Sequence, residues 1–249
     1  MKASADILGV KIPKASVAYA EAEILKFLSR RGGAKIFTPN PQMLAAADHD
    51  AQFKRILNSA ELLLPDGVGV LLAAKLTGDP LPIRITGIDT AYRVLELSAQ
   101  RGLRVAFIGG EKGVAARAAE RLKKEIPTLN VAFTHHGYFK KFPNDNPQNQ
   151  ALTDKLKSVG PDVIFVCFGT PAQEKWICEN ADSLPSVRIF MGLGGALDVW
   201  SGKTRRAPMA VRAIGAEWLW RCIGEPKRFA RLLPLPALYS KIIWERITK

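Results

Sequence analysis

Short apolar runs that end at a polar or glycine-containing corner recur along this 249-residue chain and constrain its fold more than any other feature. The sharpest example is the run at residues 62–64, which stops at Pro65, turns through Asp66-Gly67 and continues into a helical pattern over residues 68–76. Similar apolar runs occupy residues 35–37, 104–108, 131–134, 162–168 and 187–191. Because these runs alternate with segments of helical periodicity, the sequence predicts an α/β fold with a Rossmann-like, doubly wound, mainly parallel sheet.

Polar side chains follow two of these predicted strands. Asp66 follows one, and Thr38-Pro39-Asn40-Pro41 follow another, with Asn40 suited to cap a helix and Pro41 to its first position. Alone, Asp66-Gly67 is a common turn, because aspartate caps its own backbone and glycine accepts a positive φ. Two such corners on parallel strands indicate one shared ligand site, since these sheets bind ligands at the carboxyl ends of their strands.

Glycine-rich corners follow three further runs. Residues 109–113, Gly-Gly-Glu-Lys-Gly, join a predicted strand to a helix, an arrangement that receives phosphate on backbone amides, and Gly109 is therefore a candidate ligand contact. Thr86 with Asp89, and Thr170 with Gln173, have capping-box spacing, so Asp89 and Gln173 also have a purely structural interpretation.

A nicotinamide-dependent enzyme is an alternative that the glycines of residues 109–113 would also suit. It would place an acidic residue after the next strand to hold the ribose, where this chain has Thr134-His135.

The positive charge of the chain is concentrated near its C-terminus. The net charge is +13, and residues 203–249 contribute eleven Lys/Arg against three Glu. This asymmetry indicates an anionic partner: nucleic acid, a membrane surface or phosphates. From residue 208 the pattern is helical only, with one helix predicted over residues 209–223 and basic side chains interleaved with bulky apolar ones thereafter. Such a segment suits either a helix lying in a membrane interface or a terminal helix docked on the core.

Composition bounds the cellular setting. The three cysteines lack metal or redox spacing, which indicates reduced thiols in the cytoplasm. Residues 1–14 lack the apolar run of a signal peptide, and nothing approaches the ~18 apolar residues of a membrane span.

Several familiar chemistries are excluded by spacing. Asp48-His49-Asp50 resembles a metal-binding Asp-x-Asp, but residues two apart on a helix point to different faces. His135-His136 has no third ligand at a suitable spacing, and no serine-hydrolase or phosphate-binding-loop signature is present. The sequence therefore predicts no metal site.

The polar set at the strand ends is Thr38, Asn40, Asp66, Arg84 and Gln173. One carboxylate with a guanidinium suits a reaction in which a hydroxyl loses a proton while a phosphate leaves.

Taken in order, the motifs resemble those of the WecG/TagA/CpsF glycosyltransferases. They are Thr38-Pro39-Asn40, Pro65-Asp66-Gly67, Arg84-x-x-Gly87-x-Asp89, His136-Gly137-Tyr138-Phe139, Gly169-x-Pro171-x-Gln173-Glu174-Lys175-Trp176, Gly194-Gly195 with Asp198, and Arg205-Arg206-Ala207-Pro208. The resemblance implies transfer of a sugar from a UDP-sugar to a polyprenyl-diphosphate-linked sugar, with inversion and without metal or other cofactor. It also implies peripheral attachment to the inner, cytoplasmic face of the membrane. The teichoic-acid branch of the family implies that N-acetylmannosamine is the transferred sugar and that the acceptor carries N-acetylglucosamine. UDP-N-acetylmannosaminuronic acid or a UDP-hexose stays an alternative donor.

The resemblance also assigns roles to individual residues. Asp66 matches the general base, for which we expect an ordinary pKa near ~4, and Thr38, Asn40, Arg84 and Gln173 match the polar lining. The expected substrate contacts are Tyr138, Gly194, Gly195 and Asp198, together with Arg221, Arg228 and Arg231 of a C-terminal appendage that completes the site on the membrane.

The resulting expectation is a catalytic core over residues 1–207 and an appendage over residues 208–249, with residues 143–150 as a surface loop and a homo-oligomer as one possible assembly. The rival from another class is a non-catalytic basic module that binds anionic lipid or nucleic acid. The transferase interpretation includes no nucleic-acid partner.

Overall fold

The computed structural model describes residues 3–137 and 147–248. In chain order the strands are β1 (Ser4–Ile7), β2 (Val10–Pro13), β3 (Ala34–Phe37), β4 (Leu62–Leu63), β5 (Arg104–Gly109), β6 (Asn130–His135), β7 (Val163–Cys167) and β8 (Ile189–Gly192). The helices are α1 (Val17–Ser29), α2 (Pro41–His49), α3 (Ala51–Asn58), α4 (Val68–Thr77), α5 (Gly87–Gln100), α6 (Val114–Glu125), α7 (Pro147–Val159), α8 (Ala172–Asn180), α9 (Ala196–Trp200), α10 (Met209–Ala213), α11 (Glu217–Gly224) and α12 (Leu235–Ile247). Short 3₁₀ helices span Ala181–Ser183 and Pro226–Leu232.

Six strands form one sheet in the order β4-β3-β8-β7-β5-β6, and every neighbouring pair is parallel. The predicted parallel sheet is therefore confirmed. All five residues of β7 are buried, because helices cover both faces of a parallel sheet. All six strands consequently direct their carboxyl ends to the same edge.

The core has two halves, one on each face of the sheet. Val163 and Phe165 of β7 pack with α1, α5, α6 and α9, whereas Ile164 and Val166 pack with α2, α3, α4, α7, α8 and α12. Alternate residues of one strand thus enter opposite halves, as the period of two requires. This arrangement confirms the doubly wound prediction.

A small antiparallel hairpin, β1–β2, precedes the sheet and was not anticipated from the sequence. Its turn consists of Leu8 and Gly9, both with positive φ, which is typical of a two-residue hairpin. Its inward-facing residues are Ala5, Ile7, Val10 and Ile12, all buried. Their alternation with polar residues was the signal that could have identified the hairpin.

Two predicted boundaries are wrong. The single helix predicted over residues 209–223 is two helices, α10 and α11, because Gly215 adopts a left-handed φ of 75° between them. A Cβ at Gly215 would lie 2.2 Å from Cγ1 of Val68, so the close approach of this turn to α4 also requires glycine. Residues 147–150 of the predicted loop form the first turn of α7, with Pro147 at its first position. Residues 143–146 lie outside the described residues.

The last helix, α12, docks on the core through one face. Leu238 and Ile242 are buried, the Tyr239 hydroxyl donates to the Gly69 carbonyl at 3.2 Å, and Lys241 pairs with Asp48 at 2.7 Å. The docked-helix interpretation therefore holds for this face.

The opposite face of α12 leaves Trp244 and Ile247 exposed. Throughout the described residues, every helix is too short or too polar to cross a membrane.

Candidate active site

A cavity of about 1040 Å³ opens at the carboxyl edge of the sheet. Each strand contributes a residue that follows its carboxyl end, namely Thr38, Asp66, Gly110, His136, Thr170 and Gly194. The helices after residue 208 form a further wall with Glu217, Trp218, Arg221, Arg228 and Arg231. The strand corners and the basic C-terminal segment therefore meet at one site, where such sheets bind ligands.

Eleven of the thirteen predicted site residues line this cavity. They are Thr38, Asn40, Asp66, Arg84, Gln173, Gly194, Gly195, Asp198, Arg221, Arg228 and Arg231. Gly109 does not, because it packs against β7, where an added Cβ would lie 2.4 Å from the Cys167 carbonyl oxygen. Gly110 lines the cavity one residue later. Tyr138 lies outside the described residues.

Backbone hydrogen bonds fix the Asp66 corner. The Asp66 N–H donates to the Pro39 carbonyl at 2.9 Å, which ties the corner after β4 to the corner after β3. One carboxylate oxygen, Oδ2, accepts the N–H of Gly87 at 3.2 Å, at the first residue of α5. The carboxylate is thereby held at the start of a helix, where negative charge is stabilised.

The expected ordinary pKa of Asp66 is wrong. Burial raises its pKa to about 6, although the Gly87 hydrogen bond and the positive charges of Arg221 and Arg84 lower it, and the negative charge of Glu217 raises it. A carboxylate with this pKa is a stronger base than an exposed aspartate and is still ionised at pH 7.

Thr38 and Asp66 converge on Gly87. A Cβ added there would lie 2.7 Å from Oγ1 of Thr38 and 3.4 Å from Oδ2 of Asp66, so the absence of a side chain lets α5 start in contact with both. Thr86 caps the same helix: its hydroxyl donates to Asp89 at 2.6 Å and accepts the Asp89 N–H at 3.4 Å. The structural interpretation of Thr86 and Asp89 is thus confirmed.

Asn40 caps α2 as predicted. Its Oδ1 accepts the Met43 N–H at 3.0 Å, and Pro41 occupies the first helical position. The cap leaves Asn40 at the cavity wall with its orientation fixed.

Gln173 ties two glycine corners together. Its Oε1 accepts the N–H groups of Gly169 at 3.2 Å and Gly194 at 2.8 Å, while its Nε2 donates to the buried carboxylate of Glu174 at 2.7 Å. The predicted cap by Thr170 is absent, because the cap residue of α8 is Pro171, without a side-chain hydrogen bond. With both amide atoms occupied, Gln173 shapes the cavity wall where β7 and β8 end.

Three of the four predicted arginines pair with other groups of the protein. An Nη2 of Arg84 donates to the Arg212 carbonyl at 2.9 Å, Arg221 pairs with Glu217 at 3.2 Å, and Arg228 pairs with Glu225 at 2.8 Å. Arg231 lines the same wall. Arg221 and Arg228 are thus each paired with a glutamate of their own segment.

Both carboxylates of the Asp48-x-Asp50 motif have protein partners. Asp48 pairs with Lys241, whereas Asp50 caps α3 through the Phe53 N–H at 2.9 Å and pairs with Lys175 at 3.2 Å. The two carboxylates therefore have separate partners, but the helical-spacing argument does not apply, because Asp50 lies between α2 and α3 and caps both helices.

Sequence reasoning missed several charged residues of the cavity. Lys203 bridges Glu111 at 2.5 Å and Asp198 at 3.8 Å, and Glu217 projects from α11. Glu111 follows a predicted strand and could have been identified from that position. Glu217 and Lys203 reach the cavity only through the folding of the C-terminal segment, for which the sequence offers no local signal.

Comparison with known proteins decides the family. The sequence model described as "Glycosyl transferase WecG/TagA/CpsF family" matches residues 5–249, nearly the whole chain. The chain belongs to this family. It is thus a glycosyltransferase, and the match spans both the strand corners and the C-terminal helices that enclose the cavity.

Individual members of the WecG/TagA/CpsF family show the same relationship. The chain is 34% identical over 217 residues to an enzyme of Bacillus spizizenii, covering 87% of this chain and 81% of the relative. It is 30% identical over 242 residues to one of Staphylococcus aureus, covering 96% and 92%. Both relatives are named N-acetylglucosaminyldiphosphoundecaprenol N-acetyl-beta-D-mannosaminyltransferase.

Proposed function

We propose that this family member transfers N-acetylmannosamine from its UDP-sugar to N-acetylglucosamine carried on a polyprenyl diphosphate, as a step in cell-wall teichoic-acid synthesis. The observation that carries the proposal is the half-buried carboxylate of Asp66 in a cavity that also contains Arg84, Arg221, Arg228 and Arg231. Relatives named for this reaction cover most of the chain. A base and several cations in one cavity are what this transfer requires.

In the proposed step Asp66 is the general base. The acceptor hydroxyl attacks C1 of the donor sugar and its proton passes to Asp66, while the bond from C1 to the UDP oxygen breaks on the opposite face. Displacement from that face inverts the configuration at C1. The raised pKa of Asp66 brings it nearer to the operating pH, where general bases are most efficient.

The basic residues take up the negative charge of the two diphosphates. A guanidinium can hold a phosphate with paired hydrogen bonds, and Arg228 would exchange the exposed Glu225 for the ligand. Surface ion pairs of this kind are worth about 0–1 kcal/mol, so this exchange has a small cost. In the proposed complex, Gly110, Gly194 and Gly195 let the donor approach the backbone, and Asp198 contacts its nucleoside.

The C-terminal segment brings the enzyme to the membrane that holds its acceptor. Among the described residues, the large apolar side chains that are at least two-thirds exposed all lie after residue 208: Met209, Ile214, Ile223, Leu233, Trp244 and Ile247. The net charge of +8 over residues 203–249 attracts an anionic leaflet, at about 1 kcal/mol for each Lys or Arg near it. We place the enzyme on the inner face, where UDP-sugars are made, as a peripheral protein.

The reaction is tested by measuring UDP release from a panel of UDP-sugars, with and without a lipid-diphosphate N-acetylglucosamine acceptor. We expect release only when UDP-N-acetylmannosamine and the acceptor are both present. If UDP is released in the presence of acceptor only from UDP-N-acetylmannosaminuronic acid or from a UDP-hexose, that sugar is the donor and the proposed donor is wrong. Thermal-shift measurements with UDP and DNA separate this proposal from a nucleic-acid-binding module, because only the bound ligand stabilises the fold.

A further inference from the structure

Glu217 is an acidic residue of the cavity to which neither the sequence motifs nor the proposed reaction assigns a role. It is the first residue of α11, its side chain is 15% exposed, and it lines the cavity together with Asp66 and Arg221. A carboxylate so nearly enclosed needs positive partners, because burying an unpaired charge is costly.

Two guanidinium groups supply those partners. Arg221, one helical turn later, places an Nη2 3.2 Å from Oε1 of Glu217, and Arg206 places its Nε 3.9 Å from the same oxygen. Arg206 also pairs with Asp89 at 2.6 Å, in the first turn of α5. The helix that carries Arg221 is thus connected through Glu217 to the helix whose first N–H holds Asp66.

The charges that act on Asp66 come from the same elements. Arg84, in the loop before α5, and Arg221, on α11, lower the pKa of Asp66, whereas Glu217 raises it; the Gly87 N–H at the start of α5 also lowers it. A guanidinium without its counter-charge would favour ionised Asp66 and weaken it as a proton acceptor. The cavity needs Arg221 for the diphosphate, and therefore needs its charge offset near the base.

We propose that Glu217 is a positioning residue, which holds the Arg221 guanidinium at the cavity wall and offsets its charge so that Asp66 remains able to take the acceptor's proton. This inference rests on the proposed function, in which Asp66 is the base. It makes Glu217 part of the reaction although its carboxylate is not a proton acceptor for the substrate.

The test is Glu217→Gln, which keeps the size of the side chain and removes its charge. We expect the pKa of Asp66, followed by carbon-13 carboxyl NMR titration of the unliganded enzyme, to fall by about one unit. The acid limb of kcat/KM should move to lower pH by the same amount. Arg221→Gln should shift both quantities in the opposite direction, because it removes a positive charge. Glu217→Asp should keep them near the wild-type values.

Glu245→Gln is the matched control, since it removes the same charge from α12, where Glu245 acts on Lys241. Glu245→Gln should leave the pKa of Asp66 unchanged. An unchanged Asp66 titration in Glu217→Gln, or shifts of the same sign in Glu217→Gln and Arg221→Gln, would overturn the inference. A wild-type enzyme that transfers no sugar would instead refute the proposed function, whatever the titration of Asp66 shows.

Discussion

The Asp66 corner and the segment after residue 208 both line the cavity, but they are held in different ways. Asp66 is fixed by backbone hydrogen bonds: its own N–H to Pro39, the Ile85 N–H to Pro65, and the Gly87 N–H to its carboxylate. Arg221 and Arg228 are instead held by glutamate side chains three or four residues away. The base is therefore preorganised by the backbone, whereas the cations depend on side-chain pairs, and the Arg228 pair is exposed at Glu225.

Because of this difference, we expect the two regions to fail in different ways when they are mutated. Changes at Asp66 should remove the chemical step and leave ligand capture intact, because the surrounding backbone does not depend on the carboxylate alone. Changes at Arg228, at Arg231 and at the exposed apolar side chains of the C-terminal segment should weaken capture of the acceptor or the membrane and leave the base intact, whereas Arg221 and Glu217 also act on the base. Variants of each region can break this separation.

The largest effect is expected from Asp66→Asn. Its turnover should fall by roughly 10²–10⁴, the usual range for loss of a general base, because the amide cannot accept the acceptor's proton. UDP affinity, measured by calorimetry, should stay near the wild-type value. Asp182→Asn, on the surface, is the control. Near-normal turnover of Asp66→Asn would remove Asp66 from the base role.

A smaller loss is expected when Arg221, Arg228 and Arg231 are replaced together by Gln. The kcat/KM for the lipid-diphosphate acceptor should fall by about ten- to a hundredfold, since hydrogen bonds to charged groups contribute about 1.5–3 kcal/mol. Replacement of Arg30, Arg31 and Arg55 by Gln is the control for the charge change. Equal losses in the two triple variants would mean that net charge, and not the cavity wall, governs acceptor use.

Membrane attachment should weaken when Leu233, Trp244 and Ile247 are replaced by Ser. These side chains are exposed, so the change should leave the fold intact while removing apolar area worth about 25 cal/mol per Å² on burial. Flotation with anionic liposomes measures the loss, and the exposed Val17→Ser is the matched control. Undiminished flotation of the triple variant would show that these residues do not contact the membrane.

The smallest effect concerns stability. Because the native pKa of Asp66 is about 6 and its unfolded value is 3.8, ionisation of Asp66 costs stability as pH rises from about 4 to about 6. Asp66→Asn avoids this cost and should be more stable than the wild type above pH 6, by about 3 kcal/mol. Urea unfolding at pH 7.5 and pH 4 measures the difference, which should shrink at the lower pH. A difference independent of pH would contradict the raised pKa.

Much of the core side of the site could be predicted from sequence, and the reason is geometric. In a parallel sheet, the residue that follows each strand lies at the ligand edge, so Thr38, Asp66 and Gly194 are located by their position alone. The same logic is accurate only to about one residue. It selected Gly109, although the close approach of β7 leaves Gly110 at the cavity.

The other wall could not be predicted locally. Arg206 meets Asp89 across 117 positions in the chain, and Glu217 acts on Asp66 from a helix whose start depends on the turn at Gly215. The pKa of Asp66 was underestimated because the sequence does not show how far the folded chain shields this carboxylate from water. Residue type does not encode such long-range contacts.

The claim that the core supplies the base is tested most directly by the pH dependence of kcat/KM for wild type and Asp66→Asn. Asp66 is protonated below its pKa, so wild-type activity should fall as pH decreases through about 6. The residual activity of Asp66→Asn should lack this limb. An identical limb in the variant, or a wild-type limb near pH 4, would contradict the account.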